Sequence, residues 1–114
     1  MNAVIRLSLL PVFALFAGNA AGATEASVTI HSPADGASLD VMEQNKVEYE
    51  VEPGPRGDHV HFYVDDEEVA ILRQLKGSYT LESLTSGQHD LCIKVVNKNH
   101  TPIGVEECIK VTLQ

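Results

Sequence analysis

The sequence has no tryptophan, few aromatic residues, and only 8 basic side chains against 16 acidic ones. Its formal net charge is -8 at pH 7 with histidine taken as neutral. A nucleic-acid-binding face needs clustered lysine and arginine to displace counterions, so this balance argues against that class. No glycine-rich phosphate-binding loop is present either. Because 114 residues are too few for two ordinary domains, we expect a single domain.

The sequence also lacks the motifs on which many catalytic and calcium sites depend. No serine or cysteine nucleophile has a base at a recognisable spacing, and no paired carboxylates stand in a defined motif. The acidic run at residues 65–68 (DDEE) has adjacent acids, whereas calcium loops need spaced oxygens and a glycine-assisted turn. We therefore expect a protein that is not an enzyme, and we interpret the acidic run as a solvated turn.

Residues 1–23 have the three regions of a secretory signal peptide. Residues 1–6 carry one positive charge, residues 7–16 are mostly apolar, and small residues lead to Ala21-Gly22-Ala23. The apolar run is too short to span a bilayer as a helix, and no cysteine for lipid attachment lies near the cleavage site. We expect cleavage after Ala23, one domain over residues 24–114, and a soluble periplasmic or secreted product without a membrane span.

Short runs of alternating apolar and polar residues dominate the rest of the chain, and no long stretch has the 3.6-residue period of a helix. Clusters of turn residues separate the runs, and they include Asp66-Glu67 and Lys76-Gly77. About seven strands are predicted. They include residues 27–31, 46–52, 59–65, 69–72, 89–96 and 105–113. This pattern predicts an all-β, two-sheet antiparallel sandwich.

The two cysteines, Cys92 and Cys108, lie on the last two predicted strands. If those strands form a hairpin in which paired residue numbers sum to 200, the cysteines are directly opposed and within bridging distance. The same register pairs opposite charges on one face and apolar residues on the other: Asp90 with Lys110, Lys94 with Glu106, Leu91 with Ile109, and Val95 with Val105. In an oxidising compartment this favours a disulfide, the alternative being a thiolate site for Cu(I) or zinc.

Three histidines are candidate metal ligands. His59 and His61 share one face of a predicted strand, and His100 lies at the tip of the last hairpin, at the same end of such a sandwich. Asp58 is nearby in the sequence, and neutral imidazoles suit copper and zinc. Two alternatives stay open. In the first, His59 and His61 are only polar residues on the outer face of the strand. In the second, His61 approaches Cys92 in a mixed site that competes with the disulfide.

The remaining histidines, His31 and His89, are expected nearer the opposite end of the sandwich. We interpret both as structural. His89 precedes the next-to-last strand and would fill the corner role that tyrosine has in related sandwiches.

Three stretches carry a resemblance to a known family: residues 32–36 (SPADG), 84–91 (LTSGQHDL) and 95–104 (VVNKNHTPIG). They resemble the periplasmic copper-resistance protein C family, small immunoglobulin-like sandwiches that bind copper. The resemblance implies that His100 is a copper ligand and that His89 stands where the family has a tyrosine. The chain departs from the family at its expected new N-terminus, Thr24, where the family has histidine. It also has Asn97 or Asn99 where the family has aspartate.

Residues 57–65 (GDHVHFYVD) resemble a second group, uncharacterised secreted bacterial domains with a His-x-His-Phe strand. A later Gly-x-His-x-Leu motif in that group matches residues 87–91. The shared motifs are short, so they imply an immunoglobulin-like β-sandwich more strongly than they imply a function.

These observations lead to three functional hypotheses. The first is a small periplasmic protein of metal handling or resistance that binds copper, with zinc second, through His59, His61 and His100. The second is a disulfide-stapled interaction module without a metal, whose partner is another periplasmic protein. The third is an accessory subunit whose exposed edge strand pairs with a partner. Metal binding should weaken below about pH 6, where imidazoles protonate, whereas an interaction module should be insensitive to chelators.

Overall fold

The computed structural model describes residues 24–114, and the predicted signal peptide at residues 1–23 lies outside them. The strands in chain order are β1 (Ser27–Ser32), β2 (Ala37–Leu39), β3 (Asn45–Glu52), β4 (His59–Val64), β5 (Glu67–Leu72), β6 (Lys76–Leu81), β7 (Gly87–Val96) and β8 (Pro102–Leu113). No helix with the length and apolar character of a membrane span occurs in residues 24–114.

The strands form two sheets around one hydrophobic core. The three-stranded sheet has the order β1-β3-β6, and the five-stranded sheet has the order β2-β8-β7-β4-β5. Every pairing is antiparallel except the short parallel contact between β2 and β8. The predicted all-β sandwich is therefore confirmed, with eight strands in the described part of the chain.

Alternation of apolar and polar residues determines which face of each sheet is buried. Along β3 the side chains after the first residue are exposed and buried in turn. On β4, Phe62 is fully buried, and its ring centroid lies 4.6 Å from that of Tyr79 on β6. This aromatic contact joins the two sheets. Because successive side chains alternate, His59 and His61 on β4 point to the outer face of the five-stranded sheet.

One short strand and two turns differ from the prediction. β2 was not expected, because three residues are too few to show a period. The predicted turn at Lys76-Gly77 is wrong, since both residues lie in β6 and pair with β3. The turn between β4 and β5 lies at Asp65 and Asp66, one residue earlier than predicted. Both residues have positive φ, 51° and 70°, as a two-residue hairpin turn requires.

The β7–β8 hairpin has the predicted register over most of its length. Residues 87–94 pair with residues 106–113, and each pair sums to 200. Cys92 therefore lies opposite Cys108, and a disulfide joins the two residues. The predicted disulfide is confirmed, and it lies on the same outer face as the β4 histidines.

The register changes near the tip of this hairpin. The predicted pairing of Val95 with Val105 is wrong, because Val96 pairs with Pro102 after a shift in the ladder. Gly104 within the shifted segment has a φ of 90°, a conformation that glycine adopts without steric cost. Extra residues on β8 produce an irregularity of the β-bulge type beside the loop that carries His100.

Candidate metal centre

Two histidines of β4 lie side by side on the outer face of the five-stranded sheet. The ring centroids of His59 and His61 are 5.2 Å apart. Outward residues of a sandwich are usually solvated, but these two are only 1% and 3% exposed. His100, from the loop between β7 and β8, lies against both rings, with centroid separations of 4.7 Å and 5.2 Å. The structure thus brings together the three histidines that the sequence singled out.

One nitrogen of each ring faces the other two rings. His59 Nε2 lies 3.2 Å from His100 Nδ1, and His61 Nε2 lies 3.0 Å from the same atom. The three ligand atoms all lie within 4.8 Å of one another. A ring nitrogen without a proton offers a lone pair, and this is the group that binds a metal ion.

The other ring nitrogens of His59 and His61 donate to carboxylates. His59 Nδ1–H donates to Asp58 Oδ2 at 2.9 Å, and His61 Nδ1–H donates to Glu68 Oε1 at 3.1 Å. Because the proton of each neutral ring is held on Nδ1, the lone pair of each ring is on Nε2, facing His100. Metal-binding histidines usually have such a partner, which sets the tautomer and the ring orientation.

Burial and charge shift the pKa values of His61 and Asp58 in directions that favour binding of a cation. Burial lowers the pKa of His61; the Glu68 carboxylate opposes that change, and repulsion from His59 and His100 adds to it. The hydrogen bond from His59 lowers the pKa of Asp58, which therefore stays ionised at neutral pH. A neutral imidazole backed by an ionised carboxylate is a strong donor to a metal ion.

Asn97 organises the loop that presents His100. Its Oδ1 accepts hydrogen bonds from the backbone N–H groups of Asn99 at 2.8 Å and Thr101 at 3.0 Å. Its backbone carbonyl accepts a third from the His100 N–H at 2.9 Å. His100 has a φ of 64°, in the left-handed region that few residues other than glycine adopt, although histidine is enriched there. The loop thereby places an exposed imidazole over two buried ones.

Glu68 is a site residue that the sequence does not indicate. Ile71 of β5 lies opposite His61, so simple alternation along β5 would put Glu68 on the inner face. A register irregularity leaves Val69 unpaired and places Glu68 opposite Tyr63, on the outer face. The interpretation of residues 65–68 as only a solvated turn is therefore wrong for Glu68.

The cysteines do not join the histidine cluster. Tyr63 lies opposite Cys92 on β7, whereas His61 lies opposite Lys94. Since Cys92 is in a disulfide with Cys108, it has no thiolate to offer. The mixed histidine–cysteine site is not formed in the described part of the chain.

His89 and His31 lie outside the cluster. His89 Nδ1–H donates to Asp65 Oδ2 at 2.6 Å, and its Nε2–H donates to the Thr85 carbonyl at 2.8 Å. Both nitrogens face acceptor oxygens, which favours the doubly protonated ring, and the hydrogen bond to Asp65 raises the pKa of His89. The expected corner role of His89 is confirmed. His31 is exposed, 3.2 Å from a carboxylate oxygen of Glu50.

Comparisons with known proteins establish the fold and leave the family open. No protein family and no characterised protein matches the sequence. The structure is similar to fibronectin(III)-like modules of CbhA from Clostridium thermocellum, with a TM-score of 0.62 and 16% identity over 76% of this chain and 95% of that one. It is also similar to a CARDB domain from Pyrococcus furiosus in complex with di-metal ions, with a TM-score of 0.51 and 14% identity over 81% and 94%.

A third similar structure is the extracellular domain of a B. thetaiotaomicron protein, with a TM-score of 0.55 and 14% identity. The match covers 80% of this chain and 16% of that one. At such low identities these likenesses show an immunoglobulin-like fold and nothing about function.

The carboxylates behind the histidines lead to a first prediction. We expect Asp58→Asn/Glu68→Gln to weaken Cu(II) or Zn(II) binding by about 10- to 100-fold. Each imidazole loses the carboxylate that orients the ring and makes its nitrogen more basic. Competition with a chromogenic chelator measures the affinity. Glu67→Gln is the matched control, since it removes an adjacent carboxylate that does not contact the cluster, and it should leave the affinity unchanged. Equal affinities in the three proteins would contradict this role.

The protonated corner histidine leads to a second prediction. Folding raises the pKa of His89 above its ordinary value of 6.5, so the stabilisation is fully present below that pH and is lost as pH rises through the folded-state pKa. We expect His89→Gln to lower the free energy of unfolding by about 1 kcal/mol near pH 5.5 and by much less near pH 9. The effect at pH 5.5 is no larger than this because Asp65 is half exposed to solvent. Urea unfolding of both proteins at the two pH values measures the difference. A cost independent of pH would exclude the charged hydrogen bond.

Proposed function

We propose that residues 24–114 form a non-catalytic metal-binding domain in which His59, His61 and His100 are the ligands. The observation that carries this proposal is the approach of three imidazole nitrogens, with separations of 3.2 Å and 3.0 Å to His100 Nδ1. Metal–nitrogen bonds of about 2.0–2.1 Å in tetrahedral geometry need ligand nitrogens roughly 3.3 Å apart. Both separations to His100 are therefore close to those of a three-histidine site.

The tautomers of the rings support a cation rather than a hydrogen-bonded histidine triad. Asp58 and Glu68 hold the protons of His59 and His61 on Nδ1, so two bare nitrogens face His100 Nδ1. If His100 Nδ1 carries a proton, that proton can be donated to only one of the two bare nitrogens. The lone pair of the other nitrogen then faces His100 Nδ1 without a hydrogen-bond donor. A bound metal ion removes this conflict because it accepts all three lone pairs.

Copper is our first choice of ion and zinc the second. Imidazole nitrogens suit both, and a site of given nitrogen ligands binds Cu²⁺ more tightly than Zn²⁺. The sequence resemblance to the copper-resistance protein C family at His100 points the same way. A domain of similar fold, the CARDB domain from Pyrococcus furiosus, was solved with di-metal ions. With the expected signal peptide, we infer a role in periplasmic metal handling or resistance.

A metal-free interaction module is the second candidate. β5 is an edge strand of the five-stranded sheet, and its Val69 and Ile71 are 45% and 48% exposed. Exposed apolar residues on a free strand edge suit strand addition by a partner protein. This function would leave the histidine cluster without a role and would be insensitive to chelators.

Electron paramagnetic resonance of the protein with one equivalent of Cu(II) tests the proposed function. We expect a single species with nitrogen superhyperfine structure from several imidazoles, and we expect His100→Ala to reduce the number of coupled nitrogens. His31→Ala is the control, because it removes an exposed histidine outside the cluster and should leave the spectrum unchanged. A spectrum of free aqueous Cu(II), or one equally altered by both variants, would contradict the assignment.

A further inference from the structure

The disulfide between Cys92 and Cys108 lies on the outer face of the five-stranded sheet beside a carboxylate. The ligand atoms of Cys92, Cys108 and Glu106 all lie within 4.8 Å of one another. A carboxylate oxygen of Glu106 is 3.3 Å from the sulfur of Cys108. The histidine site makes no use of this group.

We propose that this disulfide can be opened without unfolding the domain, and that the reduced Cys92–Cys108 pair is a second metal site that takes Cu(I). The proposal does not depend on the histidine cluster. It adds a soft-ion site that exists only in the reduced protein, whereas the imidazoles are available in both redox states.

The backbone ladder places the two sulfurs together whether or not they are bonded. Cys92 and Cys108 are directly opposed, with Cα atoms 4.1 Å apart, close to the spacing of a non-hydrogen-bonded antiparallel pair. Residues 87–94 and 106–113 pair continuously around them. Reduction therefore removes one covalent link and leaves the ladder that aligns the thiols.

The core face of the same hairpin anchors the two strands independently of the disulfide. Leu91 and Ile93, which flank Cys92, are fully buried, and Ile109 is 7% exposed. On the outer face, Lys110 Nζ forms an ion pair with Asp90 at 2.7 Å. These contacts are present in either redox state of the cysteines.

The disulfide is open to a reductant from the solvent side. Cys108 is exposed and provides this access, whereas Cys92 is buried, with only 7% of its surface exposed. In the opening step a dithiol transfers two electrons and two protons to the S–S bond, giving two protein thiols, and the dithiol itself becomes a disulfide. Binding of Cu(I) then releases the two thiol protons as the thiolates bind the ion.

The donor set matches a soft monovalent ion. Thiolates select Cu(I), which tolerates a low coordination number, whereas structural Zn(II) requires four ligands. The two thiolates and the neighbouring Glu106 carboxylate supply fewer than four ligands. The nearby Lys94 ammonium, 4.0 Å from Glu106, offsets part of the negative charge of such a complex.

Anaerobic Cu(I) titration against bicinchoninate tests the proposal. The proteins are the wild type with its disulfide, the wild type after reduction and removal of the reductant, and two variants treated in the same way. Cys92→Ser/Cys108→Ser removes the proposed ligands, and His59→Ala/His61→Ala removes the other site. Far-UV circular dichroism follows the fold in every sample, at about 20 °C to keep the reduced domain within its stable range.

We expect the reduced wild type to bind one Cu(I) more than the oxidised protein, with an unchanged β-sheet spectrum. The additional Cu(I) should persist in the histidine variant and be absent from the serine variant. The additional Cu(I) should also be absent from reduced wild type whose thiols have been alkylated. This control does not depend on whether a substituted protein folds. If the oxidised protein fails to bind Cu(II) while this gain on reduction is seen, only the histidine proposal fails.

Three results would overturn the proposal. The first is loss of the β-sheet spectrum on reduction. The second is the same Cu(I) stoichiometry in the oxidised and reduced proteins. The third is an additional Cu(I) that is also bound by the serine variant, which would place that ion away from the cysteines.

Discussion

His59→Ala/His61→Ala is expected to abolish tight binding of Cu(II) and Zn(II). The double substitution removes two of the three nitrogens that face one another and leaves His100, an exposed ring on a loop, as a single ligand. One imidazole cannot compete with water and buffer for either ion at micromolar protein concentration. Competition with a chromogenic chelator measures the loss.

Two controls separate loss of ligands from loss of structure. His31→Ala/His89→Gln removes the same number of imidazoles from outside the cluster and should retain full affinity. His59→Gln/His61→Gln keeps polar side chains of similar size in the two buried positions and should lose metal as completely as the alanine variant. Retained binding in either β4 double variant, with a native circular dichroism spectrum, would place the metal elsewhere.

Saturation with Zn(II) is expected to raise the melting temperature by roughly 15–30 °C when the free ion is at about a thousand times its dissociation constant. Binding to the folded state alone then contributes about 4 kcal/mol, and each kcal/mol shifts the transition of a domain of this size by about 4–8 °C. The site joins β4 to the loop between β7 and β8. A bound ion therefore holds this loop against β4 and stabilises the five-stranded sheet. Zn(II) is used because it has no redox chemistry with the disulfide.

The same melting experiment has a pH dependence with a definite sign. At pH 5 protons compete with the ion for the imidazole nitrogens, so the shift should shrink, and a chelator should reverse it at neutral pH. His59→Ala/His61→Ala should show no shift at either pH. An equal shift in the wild type and in this variant would mean that the ion acts at another site.

The sequence was sufficient to predict those features that rest on strict alternation of side chains. The opposed charges of Asp90 and Lys110 and of Lys94 and Glu106 give one register for the last hairpin, and this register brings Cys92 and Cys108 together. The His-x-His spacing placed two rings on one face. The topology of a sandwich then put the tip of the last hairpin at the same end.

The unpredicted features depend on departures from alternation. Glu68 reaches His61 only because the β4–β5 ladder shifts at Val69, and a bulge has no clear signal in a run of acidic residues. Asn97 organises its loop through side-chain hydrogen bonds to the backbone, which a position in the sequence cannot show. The near-complete burial of His59 and His61 likewise follows from how the loop folds back over them.

Calorimetric titration of the protein, with its disulfide intact, by Cu(II) and by Zn(II) is the most direct test of the histidine centre. We predict tight binding of one ion per chain near pH 7.5, with Cu(II) bound more tightly than Zn(II), and loss of that binding near pH 5. Absence of binding of both ions at neutral pH by the folded protein would contradict the account. The exposed β5 edge would then become the principal candidate for function.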